Sequence, residues 1–160
     1  MNAHQAIGFS IKSSEDIVSS YLGDLNDADL LHRPAPGCNH INWQLGHLIV
    51  AENKIISDAV PGSMPALPAG FAEKYTKETS TVDDPKKLCS KDELMRVYQQ
   101  QRAATKAALE KTSEKDLDKP LTGWTPNVGA AFAGATGMHW LMQVGQWAVV
   151  RRQLGRPPLF

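Results

Sequence analysis

Cysteine is scarce: Cys38 and Cys89 are the only two in 160 residues. That excludes a disulfide-framed scaffold and a thiolate zinc cluster, and it suits a reducing compartment with both thiols free. Neither cysteine sits in a motif that would stabilise a thiolate. No charge of one sign dominates, since 17 Lys and Arg balance 17 Asp and Glu. A neutral chain is a poor match for nucleic acid or an anionic membrane, whose partners are normally basic. The first residues, MNAHQAIGFSIKSSED, lack the basic start and apolar run of a signal peptide. The expected location is therefore the cytoplasm. No stretch alternates at the strand period, and no repeat recurs.

Charge is absent from one long region. Residues 1–70 carry 7 acids and 3 bases, residues 71–118 carry 10 of each, and residues 119–160 carry 4 bases and no acid. Between Lys119 and Arg151 lie 31 residues with no formal charge. Pro120, Pro126, Asn127, His139, Gln143 and Gln146, with five glycines, make this stretch too polar and too broken for a lipid span. A helix buried on most sides within a helical bundle fits it better.

What is present is helical periodicity. A chain of this length buries roughly 70% of its unfolded surface and folds as one domain, residues 1–160. A first helix is expected from about Ala6 to Leu22, with Ile7, Ile11, Ile17, Val18, Tyr21 and Leu22 marking an apolar face and Gly23 as its stop. The connector that follows holds His32-Arg-Pro-Ala-Pro-Gly37, whose prolines and glycine prevent regular helix. Asn39 is the expected cap of a second helix from about His40 to Val60, ended by Pro61-Gly62. Residues 61–90, with four prolines, read as a crossover along the length of a bundle with a helical turn near Phe71–Tyr75. Ser90-Lys-Asp-Glu93 is a capping box that opens a third helix, running to about Thr112. A fourth spans Asn127 or Val128 to Leu154, closed by Gly155 and Pro157-Pro158. The fold class is all-α, a four-helix bundle with a long crossover between its second and third helices.

Two helices carry the chemistry-bearing residues. His139, Gln143 and Gln146 fall on one side of the fourth helix, at offsets of four and seven. His47 lies on the second. Facing helices of a bundle can bring such groups to one point, and imidazole is a good ligand for zinc, nickel or iron. Two histidines are too few for a tight site, and an amide oxygen is a poor third donor. On composition and spacing alone, His47 and His139 read first as core histidines bonded to their neighbours. His40 would sit about 10 Å from His47 along the helix and acts as a local group at the helix start. His32 reads as a surface or outer-shell group and His4 as solvated. Glu52 is about 140° around the helix from His47, which places it outside any shared site. Trp43, Trp140 and Trp147 read as core, or as the wall of a pocket beside the histidines. Arg151, Arg152 and Arg156 suit a helix C-terminus, or the steering of an anionic ligand.

Three stretches resemble the DinB-like superfamily of small four-helix proteins, which includes the YfiT-like metal-dependent hydrolases. They are His32–Gly37 with Asn39-His-Ile-Asn-Trp43-Gln-Leu-Gly-His47-Leu, then His139-x-x-x-Gln143-x-Gly-Gln146, then Val150-Arg-Arg-Gln-Leu-Gly-Arg-Pro-Pro. The resemblance implies a metal triad with one His on the second helix and two donors four residues apart on the last. His47 and His139 match it; Gln143 stands where the family usually has His. It further implies a divalent metal (zinc, nickel or iron), a small-molecule substrate, and hydrolysis or transfer involving a low-molecular-weight thiol, in a homodimer. Glutamine at 143 keeps a second outcome open, a non-catalytic small-molecule-binding or dimeric scaffold protein with a vestigial site. Neither Gln143 nor Gln146 can transfer protons at neutral pH, so no general base is evident.

Overall fold

The computed structural model describes residues 1–159. Helix α1 (Ala3–Leu22) begins at Asn2, which forms a reciprocal capping box with Gln5. It buries Ile7, Ile11, Ser14, Val18 and Leu22, one residue per turn. A short α2 (Asp27–Leu30) follows. Helix α3 runs Ile41–Ala59. Its cap is His40 rather than Asn39: the imidazole Nδ1 accepts the Trp43 backbone N–H at 3.0 Å. Helix α4 (Lys91–Lys111) starts at the Ser90/Glu93 capping box. After a single turn, α5 (Glu114–Leu117), the chain enters α6 (Val128–Ala133), a π-helical turn over Gly134–Met138, and α7 (His139–Gln153). The last helix expected from sequence is thus one rod interrupted by a π turn. Gly155, at φ +71°, ends it.

Cross-helix contacts give the directions. Gly137 lies against Ser10 and Arg151 bonds to the Tyr21 carbonyl, so α7 runs parallel to α1. Trp140 bonds to Glu52 and Trp147 to Gln44, so α7 runs antiparallel to α3. Asn42 meets Cys89 and Glu52 meets Thr105, so α3 and α4 run the same way. Two parallel neighbours cannot be joined by a tight turn. Residues 60–90 therefore return along the bundle, through 3₁₀ turns at Ala72–Tyr75, Lys77–Thr79 and Pro85–Lys87.

The crossover is pinned mainly to the first turns of α3. Tyr75 lies over Gly46, where a Cβ would come within 2.4 Å of its ring. The Tyr75 hydroxyl accepts the Cys89 N–H at 2.9 Å and donates to Asn42 Oδ1 at 3.3 Å. Asn42 Nδ2 in turn donates to the Cys89 carbonyl at 2.8 Å. Trp43 Nε1 donates to the Thr76 carbonyl, and the His40 ring is bonded to the Val82 carbonyl. Arg33 completes the clamp through Asp83, the Ser80 carbonyl and the Cys38 carbonyl.

The apolar core has two parts. One holds Val18, Leu45, Leu48, Leu94, Val97, Trp140 and Trp147; the other holds Ile7, Ile11, Ile56, Leu109, Phe132 and Ala135. A buried polar layer of Ser14, Glu52, Arg102, Thr105 and Thr136 lies among these helices. Arg102 Nη2 is 3.0 Å from Glu52 Oε2, with both side chains at most 2% exposed. The guanidinium also faces the Tyr98 and Trp140 rings. No β-strand forms among the described residues, and none of their helices is long and apolar enough to cross a membrane.

Candidate functional site

His47 and Gln44 are the members of the α3 motif that meet α7. One turn before His47, Trp43 stacks on its ring, with centroids 4.9 Å apart and planes 6° from parallel. The His139 ring meets the His47 ring edge-on, at 5.6 Å between centroids and an interplanar angle of 85°. Both imidazoles are half-buried. Burial lowers the pKa of each; the neighbouring His47 lowers that of His139 further, while the Tyr75 backbone carbonyl bonded to His47 opposes the shift there. Both rings are therefore neutral at pH 7, the form in which imidazole donates a lone pair.

Gln143 lies one turn after His139, and its Oε1 accepts from Gln146 Nε2 at a long 3.4 Å. Gln146 Oε1 accepts from Gln44 Nε2 at 2.8 Å, and Gln44 Oε1 accepts from Trp147 Nε1 at 2.5 Å. An amide chain thus runs from the core out to the position the resemblance assigns to the third donor. Among the described residues no group of three or more His, Cys, Asp or Glu could hold a metal. The fit to a divalent ion rests on two imidazole nitrogens and one neutral oxygen, which suits a loosely held ion with open positions.

An apolar groove adjoins the pair. Ile55, Trp124, Met138, His139 and Met142 line a cavity of about 370 Å³. Trp124 is largely exposed, and its ring lies against Gly134, where a Cβ would come within 3.1 Å. Beyond Ile55 and Trp124 a second cavity, about 450 Å³, is bordered by Lys54, Asp58, Thr122 and Thr125.

The other histidines lie apart. His40 caps α3, and His32 bonds to Gln153 Oε1 at 2.8 Å. His4 is not merely solvated: it pairs with Glu114 and bonds to the Thr112 carbonyl, and these partners raise its pKa. Arg151 and Arg156 pair with Asp24 and Asp29, which occupies two of the three basic groups that could have steered an anion. Glu52 is enclosed by Arg102, Thr105 and Trp140. Burial pushes its carboxyl up, against the pull of Arg102.

Sequence reading missed Gln44, Arg102, Trp124 and Met142. A signal existed for one: Arg102 interrupts the apolar face marked by Leu94, Tyr98 and Leu109 in α4, as Glu52 does in α3. One acid and one base on two inward faces announce a buried ion pair.

The sequence profile of the DinB superfamily matches residues 11–143. A crystal structure of a conserved protein from Enterococcus faecalis has the same fold, with a TM-score of 0.73 and 18% identity. That alignment covers 98% of this chain and 99% of the other. Comparison with curated proteins gives no match.

Proposed function

We propose, for a chain that belongs to the DinB superfamily, that His47 and His139 form the chemical centre of a small-molecule site. The reaction class is metal-dependent hydrolysis or thiol-dependent transfer, on a substrate whose apolar body occupies the groove of Ile55, Trp124, Met138 and Met142. The observation that carries this reading is the 5.6 Å approach of two half-buried, neutral imidazoles from helices 92 residues apart in sequence (139 − 47). Zinc, nickel or iron would be held by His47, His139 and the Gln143 amide oxygen. Such an ion supplies Lewis acidity and lowers the pKa of a bound water or thiol.

The residues themselves do three things. Trp43 holds the His47 ring by stacking on it. Gln44, through Gln146, restrains Gln143. The groove places apolar side chains beside His139. A second reading, non-catalytic binding of a small apolar molecule, is favoured by the amide at 143, which offers no proton and only a weak donor. The pairing of two copies belongs to either reading. Phe9, Leu141 and Val149 leave apolar surface exposed on α1 and α7 and support it.

Elemental analysis and zinc or nickel titration of untagged protein separate the two. The enzyme reading expects about one equivalent, lost in His47→Ala and in His139→Ala. Gln143→His should tighten it by about 10-fold or more. No uptake from excess metal leaves the binding reading.

A further inference from the structure

We infer that the π turn at Gly134–Met138, locked by Arg102 and by a Trp140–Glu52 pin, is the device that brings His139 out of the core phase and against His47. Glu52, Arg102 and Trp140 are positioning residues for the site, not ligands.

Helix phase shows why the turn is needed. Val128, Ala131, Phe132 and Ala135 face the core. Continued at 3.6 residues per turn, the next inward positions are His139, Met142 and Gln146. The buried positions are instead Trp140, Val144 and Trp147, displaced by one, two and one residues, while Met142 and Gln146 are exposed. A π turn closes i→i+5 bonds and so inserts one residue into the helical count. It lies immediately before His139. An uninterrupted α-helix would aim His139 into the bundle and turn Trp140 and Trp147 about 100° away from their present direction.

A π turn loosens the backbone ladder, and its groups need other partners. Arg102 Nη1 donates to the Thr136 carbonyl at 3.3 Å, and Thr136 Oγ1 donates to the Phe132 carbonyl at 2.7 Å. The same Arg102 is held by Glu52 at 3.0 Å. Glu52 Oε2 accepts Trp140 Nε1 at 2.7 Å, so one buried carboxylate ties the turn to the residue that follows His139. Two turns on, Trp147 and Gln44 repeat the pin at 2.5 Å. Two indoles seven residues apart on α7 thus meet two acceptors eight apart on α3. Such a pair fixes both the slide and the rotation of α7. His47 and Gln143 lie between the pins in sequence; His139 is next to one of them.

The test needs no metal and no substrate. Proton NOEs between the His47 and His139 rings are measured in the parent, in Trp140→Phe, and in a protein lacking Ala135. Val97→Ala, a core truncation on α4, serves as a control for destabilisation alone. The parent and Val97→Ala should show the NOE. Trp140→Phe keeps an aromatic ring in the core but removes the indole N–H, and the NOE should be lost, where the cavity of Val97→Ala leaves it in place. Removal of Ala135 restores regular α-helical phase and should also abolish it. An NOE retained in Trp140→Phe, or in folded protein lacking Ala135, overturns the inference, as does its loss in Val97→Ala. If the Ala135 deletion does not fold, Trp140→Phe decides alone. Absence of the NOE in the parent would remove the histidine pair itself, and the functional reading with it.

Discussion

The two ends of the α3 motif behave differently. From His40 to Trp43, the polar side chains are buried and bonded, and their partners lie on the crossover: Val82, Thr76, Tyr75 and Cys89. From His47 to the α7 glutamines, the groups are half-exposed, and the hydrogen bond that reaches Gln143 is 3.4 Å long. Closely satisfied polar groups fix a shape; incompletely satisfied ones at a surface remain available to a ligand. Within the α3 motif, His40, Asn42 and Trp43 therefore hold the crossover, while His47 belongs to the site.

The largest effect that could break this division comes from the polar layer beneath both regions. Glu52→Ala leaves Arg102 buried without its counter-ion and should cost about 3–5 kcal/mol in denaturant unfolding. A cost within 1 kcal/mol or so of zero, as for an exposed pair, would show that the layer does not organise the bundle. Next comes the crossover clamp. Gly46→Ala puts a methyl into the Tyr75 ring, and Tyr75→Phe strips the buried Cys89 N–H of its acceptor. Each should cost about 1–3 kcal/mol. Both should speed tryptic cleavage after the exposed Lys77, Lys86 and Lys87, by freeing the backbone around them, while leaving the His47–His139 contact in place. If cleavage is unchanged, the clamp is not what holds the crossover.

A smaller effect sharpens the comparison through pH. Burial lowers the pKa of His40, His47 and His139. A depressed pKa means the unfolded chain takes the proton first. Their contribution is thus present above about pH 6.5, the unfolded value, and is lost as pH falls through the folded pKa values. His4 is shifted upward by Glu114, so its contribution has the opposite sign and fades as pH rises. Unfolding free energy should decline below about pH 6.5, less steeply in His47→Ala. The same slope in His47→Ala as in the parent would mean that His47 is not buried as a neutral ring.

Much of this architecture is readable from residue order. The capping box at Ser90, the prolines of the crossover and the inward faces of α1 and α4 follow from local rules of spacing and capping. The approach of His47 to His139 could only be offered as a possibility, because periodicity places residues on a helix face without saying which helix that face meets. The π turn was illegible for a related reason. Gly134, Ala135, Thr136 and Gly137 are small residues compatible with regular helix, and what distorts them is tertiary: Arg102, itself held by Glu52. Asn39 looked the better cap by side-chain chemistry, yet His40 takes the role because its other ring nitrogen is anchored on Val82.

The central claim is that His47 and His139 face each other as neutral imidazoles. Imidazole NMR across a pH titration of metal-free protein tests it most directly. Both rings should titrate below the ordinary histidine value, and His47→Ala should raise the His139 midpoint by removing its neighbouring charge. A His139 midpoint indifferent to His47→Ala would contradict the claim.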